Sequence, residues 1–276
     1  MKSRIIAIGA AVVLLVSLRA CAPAKTGGTT SGAAQAGLSL AQVKKAGELI
    51  VGTEGTYRPF SYHAEGTGEL TGYDIEVVTA VAKKLGVKAS FRETQFAGIF
   101  AGLEAGRFDV IANQVSINPT RSAKYDFSTP YTVSPGVVVV KSENTSIKSL
   151  KDLNGKTTAQ SLTSNWYSVA EKNGANVQAV EGWAQAVELL TQGRVDATVN
   201  DRLTYLDYVK TTGAAGLKVA VTTDAPSLSA LAFVKGSTDL VAAVDIALKE
   251  LSADGTLKKI SFKYFGVDVS QVDASK

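Results

Sequence analysis

The feature that most constrains this chain is one order of secondary structure that occurs twice. From Glu48 to Ala112, short apolar runs alternate with amphipathic segments in the order strand, helix, strand, helix, strand. The same order returns over residues 141–224. Strands joined by helical crossovers are parallel, so the pattern predicts an α/β protein with two lobes. Apolar runs near 135–141 and 223–230 then carry the chain from one lobe to the other and back.

These two crossings predict the domain organisation. The first lobe combines residues 38–138 with residues 227–268, so it is discontinuous, and residues 139–226 form the second lobe. The chain has 276 residues, which is enough for two modest domains that each bury a core.

The first twenty residues are predicted to be a signal peptide. Lys2 and Arg4 precede an apolar run, Ile5 to Leu18, that is too short for a comfortable membrane span. The stretch ends in Leu-Arg-Ala-Cys and resembles a bacterial lipoprotein signal, in which the cysteine, here Cys21, becomes lipidated. Arg19 departs from that pattern, which prefers a small or apolar residue. The alternative is a plain secretory signal with an incidental cysteine.

Residues 21–37 are rich in Gly, Ala, Ser and Thr, which favours a flexible tether after the lipidated cysteine. Cys21 is the sole cysteine of the chain, so we expect no disulfide in the exported domain. The net charge is +4, and three of the basic residues lie in the signal peptide, so the remainder is near neutral. There is no basic patch with interleaved aromatic residues, and nucleic acid is not an expected partner.

Arg121 is the candidate cation of a binding site. Asn118 and Pro119 mark a helix start, as N-cap and first helical residue, and they place Arg121 in the first turn. A basic residue is mildly unfavourable there because the helix N-terminus already carries partial positive charge. The position is explained if the guanidinium and nearby free amides bind one anion, most naturally a carboxylate. The alternative is a surface arginine paired with a neighbouring acid such as Asp126.

The other candidate residues lie just after predicted strands, where ligands bind in parallel α/β sheets. Glu54 and Tyr57 belong to an aromatic-rich loop after the first strand; the alternative is a loop whose rings cap the core. Phe96 is predicted in the loop after the second strand. Asp201 directly follows a strand, so it is also a candidate helix N-cap. The remaining candidates at strand ends are Asn113, Gln114, Ser116, Ser161, Thr163 and Asn200.

Four motifs, in their order and spacing, resemble one protein family. They are Gly72-Tyr73-Asp74-Ile75-Glu76, Gly106-Arg107-Phe108-Asp109, residues 116–121 and residues 126–131. Together they make residues 40–268 similar to extracellular solute-binding proteins of family 3, which serve ATP-driven amino-acid importers. Further stretches resemble the L-cystine-binding branch of that family: residues 60–63, 93–95, 111–115 and 159–165.

The resemblance implies a two-lobed periplasmic-binding-protein fold of type II, in which two crossover strands form a hinge. It also implies a site for an α-amino acid between the lobes. Arg121 is expected to clamp the α-carboxylate with help from Ser116 and Thr163. Asp201 is expected to accept the α-ammonium, with the carbonyl of Gln114 beside it. A buried zwitterion needs both charges paired, since desolvation otherwise opposes binding.

The resemblance assigns further residues to the side chain of the ligand. Tyr57 and Phe96 are expected to sandwich it, and Glu54 stands where the family often has an acid near the mouth of the site. Polar atoms of the ligand are expected to contact Asn113, Ser161 and Asn200. L-cystine is the favoured ligand, followed by glutamine, histidine or another polar amino acid.

The expected function is therefore capture of an amino acid by hinge closure and its delivery to a membrane permease. The protein is expected to be exported, to be a monomer, and to be held by its lipid on the extracellular or periplasmic face of the cell membrane. No catalytic residue, metal or cofactor is expected.

Two alternatives remain open from the sequence. The first is an enzyme on the same fold, for example a dehydratase. His63 is the sole histidine, so neither a nucleophile triad nor a metal cluster can be assembled, whereas an acid pair of Glu54 and Asp201 stays possible. The second is a sensor or adhesin that keeps the binding lobes without serving a permease.

Overall fold

The structure is a computed structural model, and it describes residues 37–213 and 216–270. The predicted signal peptide, the lipidation of Cys21 and nearly all of the tether therefore lie outside the described residues. Among the helices that the structure describes, none has the length and apolarity that a membrane crossing requires.

The chain first builds most of one lobe, around a three-stranded parallel unit. Its elements in order are α1 (Leu40–Ala46), β1 (Glu48–Thr53), β2 (Thr56–Tyr57), β3 (Ser61–His63), β4 (Leu70–Thr71), α2 (Tyr73–Leu85), β5 (Lys88–Glu93), α3 (Phe96–Glu104), β6 (Val110–Ser116), α4 (Pro119–Ser122) and β7 (Tyr125–Phe127). β1 pairs in parallel with both β5 and β6, which confirms the predicted strand order of this lobe.

The chain then crosses to the second lobe and returns. The elements are β8 (Thr132–Lys141), a 3₁₀ helix (Leu150–Leu153), β9 (Thr157–Ser161), α5 (Asn165–Lys172), β10 (Asn176–Val180), α6 (Trp183–Thr191), β11 (Thr198–Asp201), α7 (Arg202–Thr212), β12 (Leu217–Val234), α8 (Thr238–Ala253) and α9 (Thr256–Phe265). β9 pairs in parallel with β10 and meets the chain beside β11 through a parallel bridge from Thr158 to Ala197. The second repeat of the predicted order is thus confirmed.

The two crossings are β8 and β12, which pair with each other in antiparallel fashion. The ladder runs from Leu217 opposite Lys141 to Ser229 opposite Thr132 and has irregular register after Val219 and after Thr222. Further strands join on both sides, giving the sheet order β11-β8-β12-β6-β1-β5, with β7 also pairing β12. The predicted crossings are confirmed, although both strands are longer than the apolar runs suggested. The predicted lobe boundaries, at 138–139 and 226–227, fall inside these strands, and we retain them as a proposal.

α2 shows how local sequence positions the first lobe. It begins after Gly72, whose φ is 134° and where a Cβ would lie 2.2 Å from the carbonyl oxygen of Phe60, so a side chain does not fit. It ends at Gly86 in the left-handed conformation. Its apolar face packs into the larger core, which includes Val77, Val78, Val81, Leu85, Leu240, Val244 and Leu248. The first turn of α2 therefore stands fixed against the sheet, and it carries Asp74.

The structure corrects several predicted boundaries. Phe96 is the first residue of α3 rather than part of a loop. The polar residues Asn113, Gln114 and Ser116 belong to β6, which is buried at each of its seven positions, and residues 200–201 belong to β11. Polar side chains do not end a strand when the surrounding structure supplies them with hydrogen-bond partners. The aromatic-rich loop 54–62 contains β2 and the start of β3, which form a small sheet with β4.

Candidate functional site

A cavity lies between the two lobes, with an empty volume of about 480 Å³ that includes open solvent. Seven of the eleven predicted site residues line it: Glu54, Tyr57, Phe96, Asn113, Gln114, Ser161 and Asn200. The other four are not among its lining residues. Arg121 and Thr163 line an adjoining groove, and Ser116 and Asp201 are buried close to the crossing strands.

The sequence analysis missed most of the second-lobe wall. The lining residues that it did not name as site residues are Ala159, Gln160, Ser164, Asn165, Trp166, Gly182, Trp183, Ala186, Thr198 and Val199. Trp183 is the first residue of α6, and it is buried while also lining the cavity. Ser164 is the N-cap of α5, since its Oγ accepts from the amide of Tyr167 at 2.9 Å. One sequence feature could have indicated this wall, namely the two tryptophans, Trp166 and Trp183, in the first turns of α5 and α6.

On the first-lobe wall, Asn113 holds Glu54 in place. Asn113 Nδ2 donates to Glu54 Oε2 at 2.6 Å, and Asn113 Oδ1 accepts from the amide of Glu54 at 2.8 Å. Thr53 Oγ1 donates to the same Oδ1 at 3.1 Å. Burial raises the pKa of Glu54 to about 7, because loss of hydration outweighs the hydrogen bond from Asn113. The carboxyl group is thus fixed in position and titrates near neutral pH.

Gln114 is held by a buried acid of α2. Its φ is +49°, an uncommon value for a residue with a side chain. The backbone amide donates to Asp74 Oδ2 at 2.8 Å, and Nε2 donates to Asp74 Oδ1 at 2.6 Å and to Thr132 Oγ1 at 3.1 Å. Burial raises the pKa of Asp74 to about 7, against the opposing effect of the bonds from Gln114. Asp74 of the Gly-Tyr-Asp motif therefore fixes both the backbone and the side chain of a cavity residue.

Arg121 occupies the predicted first turn of α4, where its backbone amide donates a hydrogen bond to Asn118 Oδ1 at 2.9 Å. The guanidinium bridges the lobes: Nη1 donates to the carbonyl of Ser116 at 2.9 Å, and Nη2 donates to the carbonyl of Thr163 at 3.0 Å. It also lies over the rings of Phe96 and Phe100, at 5.8 and 5.1 Å. Desolvation lowers the pKa of Arg121 to about 10.

Arg121 has no acidic partner among the residues that the structure describes. Asp126 instead pairs with Lys235 at 2.9 Å and accepts the amides of Gly236 and Ser237, so the interpretation of Arg121 as a surface partner of Asp126 is wrong. Arg121 is 7% exposed, and a charge buried to that extent without a counter-charge is unfavourable.

Asp201 is the corresponding anion of the second lobe. It is the N-cap of α7, where Oδ1 accepts from the amide of Leu203 at 2.8 Å, which confirms the N-cap interpretation. The same oxygen accepts from Ser134 Oγ at 2.6 Å. Burial raises the pKa of Asp201 to about 6. Within the described part of the chain, no basic side chain lies within 4.0 Å of it.

The lobes also contact each other directly beside the cavity. Tyr57 Oη donates to Asn200 Oδ1 at 2.8 Å and accepts from Thr204 Oγ1 at 3.3 Å. Arg58 and Asp207 form an ion pair across the same boundary at 3.4 Å. With the bond from Arg121 to Thr163, these contacts place hydrogen bonds between the lobes on two sides of the cavity.

His63 lies in β3, at the surface, where Nε2 is 2.9 Å from Glu93 Oε2 and Nδ1 is 2.7 Å from the carbonyl oxygen of Gly68. It does not line the cavity. Within residues 37–213 and 216–270, no three His, Cys, Asp or Glu side chains are grouped so as to hold a metal ion.

Comparisons with known proteins agree with this geometry. The family model of bacterial extracellular solute-binding proteins, family 3, matches residues 49–267. The L-cystine-binding protein TcyA of Bacillus subtilis is 51% identical over 260 residues, which are 94% of this chain and 96% of that protein. Among solved structures, an ancestral arginine-binding protein bound to arginine matches with a TM-score of 0.75 at 40% identity, over 80% of this chain and 99% of that one.

A second solved structure superposes less well on this chain. The L-cystine solute receptor of Neisseria gonorrhoeae, in an unliganded open conformation, is 47% identical to this chain. The match covers 84% of this chain and 99% of that one, and its TM-score is 0.58. The higher identity comes with the poorer superposition, whereas the arginine-bound structure superposes well. In the present structure the two lobes contact each other directly beside the cavity, through Tyr57, Arg58 and Arg121.

Proposed function

Because this chain belongs to the bacterial extracellular solute-binding proteins of family 3, we propose that it captures one amino acid, with L-cystine favoured, between its lobes and delivers it to the permease of an ATP-driven importer. Support for L-cystine comes from the named relatives, which include an L-cystine-binding protein and an L-cystine receptor. The permease would recognise the closed form.

The observation that carries the proposal is a pair of buried, opposite and unpaired charges on the two lobes. Arg121 belongs to the first lobe and Asp201 to the second, and neither has a counter-charge within the described residues. An α-amino acid offers one carboxylate and one ammonium, so it would neutralise both charges at once. A ligand that pairs with both lobes binds the closed form better and shifts the hinge equilibrium toward closure.

The remaining candidate residues take roles around that pair. Ser116 and Thr163 assist Arg121 at the carboxylate, and the carbonyl of Gln114 lies beside the ammonium. Tyr57 and Phe96 enclose the side chain of the ligand, and Glu54 accepts a second ammonium at its far end. The polar residues that contact the rest of the ligand are Asn113, Ser161 and Asn200.

A second candidate ligand is a cationic amino acid such as L-arginine. Glu54 is an additional carboxylate that has no cation within 4.0 Å among the described residues, and a guanidinium would satisfy it as well as an ammonium does. The ancestral arginine-binding protein shares 40% identity with this chain.

We further propose that the site binds without catalysing a reaction, in keeping with relatives that are named as binding proteins. The proposal includes export, a monomeric state and a lipid anchor on Cys21. Mass spectrometry of the membrane fraction should detect a lipid on Cys21. The variant Cys21→Ala should be released from the membrane.

Calorimetric titration with each amino acid and L-cystine tests the function. Asp201→Asn keeps an oxygen that can cap α7 but removes the charge, so its melting temperature without ligand should hold while affinity falls about 100-fold. Arg121→Ala should lose affinity to a similar degree, and the exposed neighbour Lys124→Ala should not. Wild-type affinity in Asp201→Asn would contradict the charge pairing, and a wild type that binds no amino acid would overturn the proposed function.

A further inference from the structure

Gln160 carries an unused hydrogen-bond donor at the wall of the cavity. It is the next-to-last residue of β9, it lines the cavity, and it is 4% exposed. Its Oε1 accepts from Thr158 Oγ1 at 3.0 Å, whereas Nε2 has no partner within the described residues. Buried polar atoms in folded proteins nearly always have a partner, and a buried N–H without one is unfavourable. The second lobe therefore carries an unpaired donor on a residue that lines the cavity.

The facing wall carries the complementary group. Gln114 also lines the cavity, and its Oε1 is buried without a partner among the described residues. The orientation of this amide follows from its neighbours, because both carboxyl oxygens of Asp74 accept from Gln114, Oδ2 from the backbone amide and Oδ1 from Nε2. The nitrogen must face Asp74 and Thr132, which leaves the oxygen free.

We propose that Gln160 sets the side-chain selectivity of the site, by donating from Nε2 to an acceptor on the end of the ligand far from the α-carbon. This inference deepens the proposed function and rests on it. The acceptor is a carboxylate in L-cystine and an amide oxygen in L-glutamine. The guanidinium of L-arginine has donors alone, so it would leave Gln160 Nε2 unpaired.

Gln160 discriminates where Glu54 does not. Glu54 accepts equally from the distal ammonium of L-cystine and from the guanidinium of L-arginine, so it favours both ligands. An unpaired donor in the site rejects a ligand that lacks the matching acceptor, because the buried group then stays unsatisfied. A ligand whose far end has both an acceptor and a donor satisfies Gln160 Nε2 and Gln114 Oε1 together.

Gln160→Glu tests the proposal. The variant is nearly isosteric and keeps an oxygen for Thr158 Oγ1, but it replaces the donor with an acceptor. Calorimetry on the purified protein with L-cystine, L-glutamine and L-arginine should show the affinity of the preferred ligand, L-cystine or L-glutamine, falling about 10- to 100-fold. The affinity for L-arginine should stay or rise, so the selectivity ratio shifts toward arginine. Gln178→Glu is the matched control, since Gln178 is exposed on β10 of the same lobe.

The outcomes separate this inference from the function on which it rests. A wild type that binds no amino acid overturns both. A wild type that prefers L-arginine, or a Gln160→Glu variant with an unchanged selectivity ratio, overturns the inference and leaves amino-acid binding standing. If Gln160→Glu does not fold, Gln160→Met replaces it, and the same fall in affinity for the preferred ligand with L-arginine binding unchanged supports the inference.

Discussion

The two walls of the cavity differ in where their polar side chains find partners, since each wall keeps one buried atom without a partner among the described residues, Gln114 Oε1 on the first and Gln160 Nε2 on the second. On the first-lobe wall, Asn113 is bonded to Glu54, and Gln114 is bonded to Asp74, all within one lobe. On the second-lobe wall, Gln160 keeps a free nitrogen, and the side chain of Asn200 accepts from Tyr57 of the facing lobe. The first-lobe wall is thus organised without help from the second.

This difference indicates that the two lobes contribute to different steps of ligand binding. A wall whose side chains are already held loses little conformational freedom when a ligand arrives, so the first lobe is suited to the initial contact. The second lobe contributes groups that become satisfied when the lobes meet. The following predictions test that division, beginning with the largest expected effect.

Asp74→Ala should damage the first-lobe wall most. It leaves the amide and Nε2 of Gln114 without their main acceptor in a buried site, which should lower the free energy of unfolding by roughly 2–5 kcal/mol. Urea denaturation of the ligand-free protein measures the loss. Thr132→Val is the matched control, because it removes the weaker bond to the same nitrogen and should cost about 1 kcal/mol. Equal stability of the two variants would show that Asp74 does not organise this wall.

The affinity for L-cystine should depend on pH through Glu54. Burial raises the pKa of Glu54 to about 7 without ligand, and a ligand ammonium favours the ionised form. Affinity should therefore rise by about tenfold between pH 6 and pH 8 and level off above that range. Titrations at several pH values measure the slope. Glu54→Gln should flatten it between pH 6.5 and 7.5, since Asp201, with a pKa of about 6, accounts for the change at lower pH. A slope that survives in Glu54→Gln would assign the titration to another group.

Tyr57→Phe should have a smaller effect than these, and it isolates a bond between the lobes. The variant keeps the ring and removes the hydroxyl that joins Asn200 and Thr204. Affinity should fall about 3- to 10-fold, as expected for one partly buried hydrogen bond. Arg58→Ala removes an ion pair whose arginine is 39% exposed, and it should change affinity less than twofold. A larger loss in Arg58→Ala than in Tyr57→Phe would reverse this ranking of the contacts between the lobes.

Much of the architecture was predictable because it follows from local pattern. The duplicated strand and helix order, the cap at Asn118 and the cap at Ser164 each depend on residues near one another in sequence. The strand end after Ala112 was wrong, because polarity at Asn113 and Gln114 looks like a loop until Glu54 and Asp74 supply their partners.

The second-lobe wall shows the limit of prediction from sequence. Gln160 and Trp166 have no pattern that distinguishes them from other residues at a strand end or in a helix turn. They become site residues when the lobes approach, and the distance between the lobes cannot be predicted from spacing along the chain. Phe96 was misplaced for a local reason, since Gln95 caps α3 without a side-chain hydrogen bond.

The ladder between β8 and β12 has a consequence for how this architecture can be cut and joined. Lys141 lies opposite Leu217, and the amide of Ser142 donates to the carbonyl of Gly216 at 2.8 Å, so the two ends of the segment 142–216 lie side by side at one end of the ladder. In gene terms, residues 142–216 are an insertion into a hairpin. A different domain with adjacent termini is expected to join at the same place if it covers Val137 and Val139, which now pack against residues of this segment.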